Sequence, residues 1–300
     1  MWQQLQDLYN SPDPALYAIP FFSLCILIEL YLAKREHLAI YQAKDSAASI
    51  FMGIGAAFIT VVTKSIAFLV FMYLYNNYRL LDIPVAFSTW IILLFADDFS
   101  FYWHHRLSHE VRVLWAAHVN HHSSEQYNLS TAIRQSWAEG IYKFAFWLWL
   151  PILGFHPLFI FMQMSISLIY QFWIHTQLIH KLPNFVEAIF NTPSHHRVHH
   201  AANVKYLDRN YAGIFIIWDK LYGTFAPEDP AEPVKYGITT NIHTFNPLRI
   251  ASHEFVAIAH DVAKTKSWKQ RLNYLLKPPG WSADGSTKTA KQMQNSTDNL

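Results

Sequence analysis

Long unbroken apolar runs, not alternating ones, dominate the first part of the chain. They extend from about Leu16 to Ala33, Ser46 to Tyr75, Ile83 to Trp103 and Ile141 to Ile174. A helix needs roughly 20 apolar residues to cross a bilayer, and each run is near that length or longer. The first ends at Lys34-Arg35, Lys64 interrupts the second, and the third carries Asp97 and Asp98 near its end. The fourth is long enough to double back at Gly154-Phe-His-Pro157, where proline breaks helical continuity. The pattern predicts an all-α integral membrane bundle of about four to five membrane helices with a helical cap on one side.

The pattern changes after about Asp219. Residues 225–248 are rich in proline and polar groups and read as an extended connection; a helical period follows from about Ile250 to Leu276. From Ser282 onward almost nothing is apolar, which predicts disorder. The expected organisation is a membrane-embedded catalytic unit over 1–248, a C-terminal helical segment over 249–281 and a disordered tail over 282–300.

Charge orients the bundle. The segment before the first run has no Lys or Arg, whereas the loop after it has Lys34, Arg35 and Lys44, which predicts that this loop is cytoplasmic. Counting runs forward then brings the end of the third, and both ends of the hairpin, to the cytoplasmic face. Met1 to Asp7 has no basic residue and lacks the form of a cleaved signal peptide. Composition agrees with a membrane protein: 15% charged residues is well below the roughly 25% of soluble domains. The net charge of +2, spread along the chain, gives no basis for nucleic-acid binding. A single cysteine, Cys25, excludes internal disulfides and cysteine-based zinc sites. Nothing in the pattern signals an oligomeric state.

Thirteen of the 17 histidines fall between residues 104 and 200. Most belong to three clusters, His105-Arg-Leu-Ser-His109, His118-Val-Asn-His121-His122 and His196-Arg-Val-His199-His200, with His175 at the end of the hairpin. Spacings of three and four residues put these imidazoles on one helical face. A zinc hydrolase needs three protein ligands, so nine are too many for one such ion. A pair of metals with four or five nitrogens each fits the number, and imidazole suits iron. Such a centre at a bilayer face would reach lipid chains and use molecular oxygen on C–H bonds. His104 and His195 adjoin cluster histidines but point about 100° away, and read as supporting residues. His180 is open between ligand and surface residue, while His37, His156, His243, His253 and His260 are set apart from the site. Asp98 shares a stripe with His105 and His109 and is expected to orient a ligating imidazole. Asp97 is read as an interface anchor, and Lys64 and Glu29 carry no catalytic expectation. A sterol, carotenoid or acyl-chain hydroxylase or desaturase, and a membrane metal carrier, remain alternatives; a carrier would string its ligands through the spans.

The order of these boxes resembles the fatty acid hydroxylase/sterol desaturase superfamily of membrane di-iron enzymes. The likeness extends over roughly residues 80–238. Its longer strings, His121-His-Ser-Ser-Glu-Gln-Tyr-Asn-Leu-Ser-Thr-Ala-Ile-Arg134, Asn191-Thr-Pro-Ser-His-His-Arg-Val-His-His200 and Asp208-Arg-Asn-Tyr-Ala-Gly213, are similar to its ether-lipid monooxygenase branch. The resemblance implies two irons, molecular oxygen, a lipid substrate and an external electron donor, tetrahydrobiopterin in that branch. It further implies attack on the ether carbon of an alkylglycerol, with release of an aldehyde. The histidine boxes become the expected ligands. By the same resemblance Glu110 is a candidate for proton handling or pterin contact, and Asn128, Arg134, Asn210 and Tyr211 for binding substrate or reductant.

Overall fold

The computed structural model describes residues 14–297; the signal-peptide reading of Met1 to Asp7 lies outside the described residues. The fold is all-α, and among the described residues the only extended pairings are two isolated bridges, Phe190 with Phe215 and Ala201 with Tyr236.

Helices α1 (Pro14–Arg35) and α2 (Ala43–Tyr78) are both long and apolar enough to cross a membrane. Their side chains face outward along much of their length, as in Leu24, Leu27, Phe58, Val61 and Leu69. In water this surface would be costly, and lipid is its natural solvent. The expectation of four to five such helices needs correction, because only these two meet the criterion among the described residues. Helix α3 (Phe87–Glu110) is long enough but places Asp97 and Asp98 at its middle and His104, His105, Arg106, His109 and Glu110 in its second half. Its outward apolar residues, Phe87, Ile91, Ile92 and Phe95, all lie in the first half. The fourth run breaks into short 3-10 turns, α6 (Trp149–Leu153) and the 17-residue α7 (Pro157–Trp173).

The expected fold-back occurs where proline and glycine permit it. Gly154 has φ +124°, and a Cβ there would lie 2.1 Å from the Leu81 carbonyl oxygen. The His156 side chain then accepts from the Leu158 N–H and Pro157 opens α7, a standard helix start. Phe71, Leu93, Trp147, Leu150, Phe155, Phe159 and Ile160 fill the core joining α2, α3 and the hairpin.

The cap is built from short helices: α4 (Arg112–His122), α5 (Leu129–Ala132), α8 (Asn184–Ile189), α9 (Pro193–His199) and α10 (Ile217–Tyr222). It sits on the ends of α1 and α2 that flank the basic loop. Glu29 of α1 accepts from the Leu129 N–H at 2.7 Å, and Asp45 of α2 pairs with Arg134 at 3.3 Å. The C-terminal helical segment divides into α11 (Pro247–Lys264) and α12 (Trp268–Leu276). Beyond it the disorder expected of the tail gives way to α13 (Ala290–Thr297), docked by Gln294, which donates to the carbonyls of Val204 and Leu207. Composition misleads here because two hydrogen bonds to the cap replace the hydrophobic anchor that the tail lacks.

Candidate metal centre

Four helices deliver nine imidazoles to one buried place. The last turns of α3 carry His105 and His109; α4 carries His118, His121 and His122; His175 follows α7; α9 and its end carry His196, His199 and His200. They divide into two groups. His105, His109, His118, His122 and His199 form one, and His121, His175, His196 and His200 the other; within each, the ligand atoms lie within 4.8 Å of one another. His121 and His122 are adjacent on α4 and point into different groups, so this helix forms the partition.

Hydrogen bonds fix which nitrogen faces inward. A carbonyl only accepts, so each ring nitrogen bonded to one must carry the proton. His105 donates from Nδ1 to the Tyr211 carbonyl at 2.7 Å, His175 to Gln171 at 2.8 Å, His199 to Arg209 at 2.9 Å and His121 to Arg134 at 3.3 Å. Burial, followed by the neighbouring rings, pushes the histidines of the α4 end and of α9 well below the usual imidazole range. His175 is lowered to about 4, chiefly by burial. Neutral rings protonated at Nδ1 turn a bare lone pair inward from Nε2.

The inward ring nitrogens lie close together. Nε2 of His175 is 3.1 Å from Nε2 of His121 and 3.0 Å from that of His196, and His196 is 3.2 Å from His200. In the other group, Nε2 of His118 is 3.0 Å from His105 and 3.3 Å from His122. No proton is left to bridge His121 and His175, so the pair repels unless a cation lies between them. Two nitrogens each ~2.1 Å from one ion and at right angles are ~3.0 Å apart, which matches these separations. Nε2 of His109 and of His199 is buried with no hydrogen-bond partner. The residues therefore fit a pair of metal ions, one per group.

Carboxylates support the rings in places the sequence did not reveal. Glu139 lies 3.6 Å from Nδ1 of His118 and 3.5 Å from Nε2 of His104. Burial alone would raise its carboxyl, but contact with His118 and His104 outweighs that and holds it well below the usual carboxylate range. Asp208 lies 3.5 Å from Nδ1 of His109. Neither has a helical spacing to its histidine: Glu139 stands 21 residues past His118 in an undistinguished string, and Asp208 is 99 residues past His109.

Asp98 requires a correction. It touches no imidazole and accepts instead from the N–H groups of Ile214 and Phe215 and the indole of Trp218, at 2.7, 2.9 and 2.9 Å. Asp219 accepts from the N–H groups of Tyr211 and Ala212, both at 2.8 Å. Between them these carboxylates hold the loop whose carbonyls at Arg209 and Tyr211 receive His199 and His105. Asp208 and Asn210, both left-handed (φ +57° and +56°), shape the same loop.

Three other expectations also need correction. Asn128 caps α5 and donates to the Ile40 carbonyl. Arg134 spends its guanidinium on Asp45, the Asn120 carbonyl, Ser49 and Ser123. The Asn210 amide serves His195 and Ala226. Buried polar groups satisfied by the chain have nothing left for a cofactor. Glu110 is ion-paired with Arg106 at 2.8 Å, outside both groups. Tyr211 stays close: its ring centroid is 5.3 Å from that of His109, and its buried hydroxyl has no partner. Asp97 is buried and accepts from Trp147 rather than anchoring at an interface. His195 pairs with Glu187 at 2.8 Å, and His180 belongs to neither group.

A profile of the fatty acid hydroxylase family matches residues 90–224, which carry all nine imidazoles. That stretch of the chain is thus similar to the fatty acid hydroxylase family. The chain is also similar to the Homo sapiens alkylglycerol monooxygenase, 39% identical over 92% of this chain and 62% of the human protein. That of Xenopus tropicalis is 37% identical over 92% of this chain and 61% of its own. The chain thus spans about three fifths of the length of these relatives. An ornithine lipid hydroxylase of Rhizobium tropici is 30% identical over 53% of this chain and 48% of its own. No solved structure matches. A cavity of about 560 Å³ reaches His109, His122 and His199 from the side of α11, α12 and the tail, with Trp115, Tyr274 and Trp281 in its walls.

Proposed function

We propose that the chain is a membrane-bound, two-iron monooxygenase that hydroxylates a lipid at the ether-bearing carbon of an alkylglycerol. The observation that carries this reading is the pair of all-imidazole groups with inward ring nitrogens 3.0–3.3 Å apart. Two irons held there would activate molecular oxygen, with tetrahydrobiopterin as the external electron donor, to convert a C–H bond to C–OH with one oxygen atom leaving as water.

The nine imidazoles are the proposed ligands; four of them, His105, His121, His175 and His199, are held in one tautomer by backbone carbonyls. Glu139 and Asp208 offset the positive charge collected beneath the cap. The cavity admits an amphiphile and ends at three imidazoles of the five-membered group. Tyr211, beside His109, supplies a buried, unpartnered hydroxyl near that group, and Glu110, ion-paired with Arg106 outside it, is the proposed proton-handling carboxylate. A hydroxylated ether carbon is a hemiacetal; it expels the glycerol oxygen and leaves an aldehyde. The lipid reading is supported by two relatives, an alkylglycerol monooxygenase and an ornithine lipid hydroxylase. The outward apolar faces of α1 and α2, and the basic loop on the cap side, support a multi-pass membrane protein with its site on the cytoplasmic face.

The test is turnover of an alkylglycerol by purified, iron-loaded protein, with and without tetrahydrobiopterin, reading aldehyde and oxygen uptake. Pterin-dependent aldehyde is expected. Oxidation of a sterol or acyl chain instead would discard the ether specificity. A protein carrying two irons that takes up no oxygen with any lipid would overturn the reading altogether.

A further inference from the structure

The stretch from residue 263 to 277 contains Lys264, Lys266, Lys269, Arg271 and Lys277 and no Asp or Glu. It includes α12, which has no fully buried residue. Trp268, Leu272 and Leu276, at spacings of four, form one stripe and are 71%, 37% and 58% exposed. The carboxylates on the neighbouring helix, Glu254 and Asp261, are both taken by Arg112 at 2.7 Å, so they do not neutralise this cationic face. A short helix with a tryptophan–leucine stripe and flanking lysines suits the plane of a membrane surface rather than water.

Its place in the fold agrees. Helix α11, which leads into α12, begins with Ile250 buried against Ala48 and Met52 of α2. At that level of α2, Ile50, Phe51 and Ile54 already point outward. The C-terminal segment is therefore rooted on the flank of a membrane-length helix, beside its lipid-facing surface. The far end of α12 is tied to α4, where the Arg112 N–H donates to the Lys277 carbonyl at 3.1 Å.

We propose that α12 is an in-plane anchor that docks on anionic lipid headgroups, with Trp268, Leu272 and Leu276 buried at the headgroup–acyl boundary. Tyr274 and Lys264 also line the cavity that reaches His109, His122 and His199. Docking holds the mouth of that cavity against the bilayer, where a lipid substrate arrives. This last step rests on the proposed function; the anchor itself does not.

The test places an environment-sensitive fluorophore at position 272, using Leu272→Cys in a Cys25→Ser background. The full chain is reconstituted in nanodiscs of phosphatidylcholine with or without phosphatidylglycerol. Quenching by lipid-borne nitroxide is expected in the anionic discs. Each lysine near an anionic surface changes the docked ratio about fivefold, so Lys266→Glu with Lys269→Glu lowers it by about twenty-five-fold or more. The same pair raises KM for vesicle-borne lipid and leaves kcat and bound iron unchanged. A label quenched by aqueous iodide and not by lipid nitroxide shows the stripe in water and overturns the anchor. A label shielded from both, in discs holding two chains, assigns the stripe to a protein contact and overturns it as well. Lipid quenching in a protein without oxygenase activity would retain the anchor and discard the proposed function.

Discussion

Replacing Glu139 with glutamine removes the negative charge nearest His118 and leaves the shape of the side chain intact. The carboxylate is 3.6 Å from Nδ1, and Nε2 on the far side of the ring belongs to the five-imidazole group. An ion bound there would be ~7 Å from the carboxylate, worth ~2 kcal/mol per unit of positive charge at an effective dielectric constant of ~20. Loss of a carboxylate behind a ligating histidine typically weakens metal binding 10–100-fold, about 1.4–2.7 kcal/mol. The two figures agree in size, so about tenfold to a hundredfold weaker binding at one group is expected, with the four-imidazole group retaining its ion. The assay is iron per chain by mass spectrometry during titration with a competing chelator. The wild-type protein should release iron in one range of chelator, and Glu139→Gln in two, separated by one to two decades. Equal retention at both groups would refute the charge argument, and simultaneous loss from both would show that Glu139 maintains the fold rather than one ion.

His175→Ala and His118→Ala should each remove one iron per chain, from different groups, since their Nε2 atoms belong to separate sets; the measurement is iron content after gel filtration. Asp98→Ala strands three donors, the N–H groups of Ile214 and Phe215 and the indole of Trp218. At about 1–3 kcal/mol for each unsatisfied group, the metal-free protein should lose at least about 3 kcal/mol, read as a drop in melting midpoint in detergent. His175, held at about 4 against an ordinary value of 6.5, is neutral in the fold and takes up a proton on unfolding. Its contribution, about 3 kcal/mol, is therefore present above pH 6.5 and lost as pH falls toward 4, so the metal-free melting midpoint should fall steeply across that window. Gly55→Ala places a methyl group 2.5 Å from the Trp137 indole nitrogen; a cost of about 1–3 kcal/mol is expected from the same melts.

Local pattern carried much of this protein. The two membrane-length apolar helices, the fold-back at Gly154 and the start of α7 follow from apolar length, glycine and proline, which act within a few residues. The nine imidazoles were legible for a similar reason: pairs three or four apart must share a helical face, and nine of them exceed any other common use of histidine. What the sequence could not settle was decided by contacts between distant segments. The membrane-helix count failed because hydropathy does not distinguish a span from a helix whose polar half is buried by a cap. Asp98 lies on the stripe of His105 and His109, yet its oxygens are claimed by backbone 116 and 117 residues away. Glu139 and Asp208 reach their histidines across gaps of 21 and 99 residues with no periodicity to mark them. Division of the imidazoles into five and four also belongs to the tertiary structure, since His121 and His122 are neighbours in sequence and part ways only when α3 brings His105 and His109 to one of them and the end of α7 brings His175 to the other. Spacing along one helix is a short-range property that residue order encodes directly. Which chains meet across the cap depends on packing and hydrogen-bond satisfaction throughout the fold, and only the folded protein resolves it.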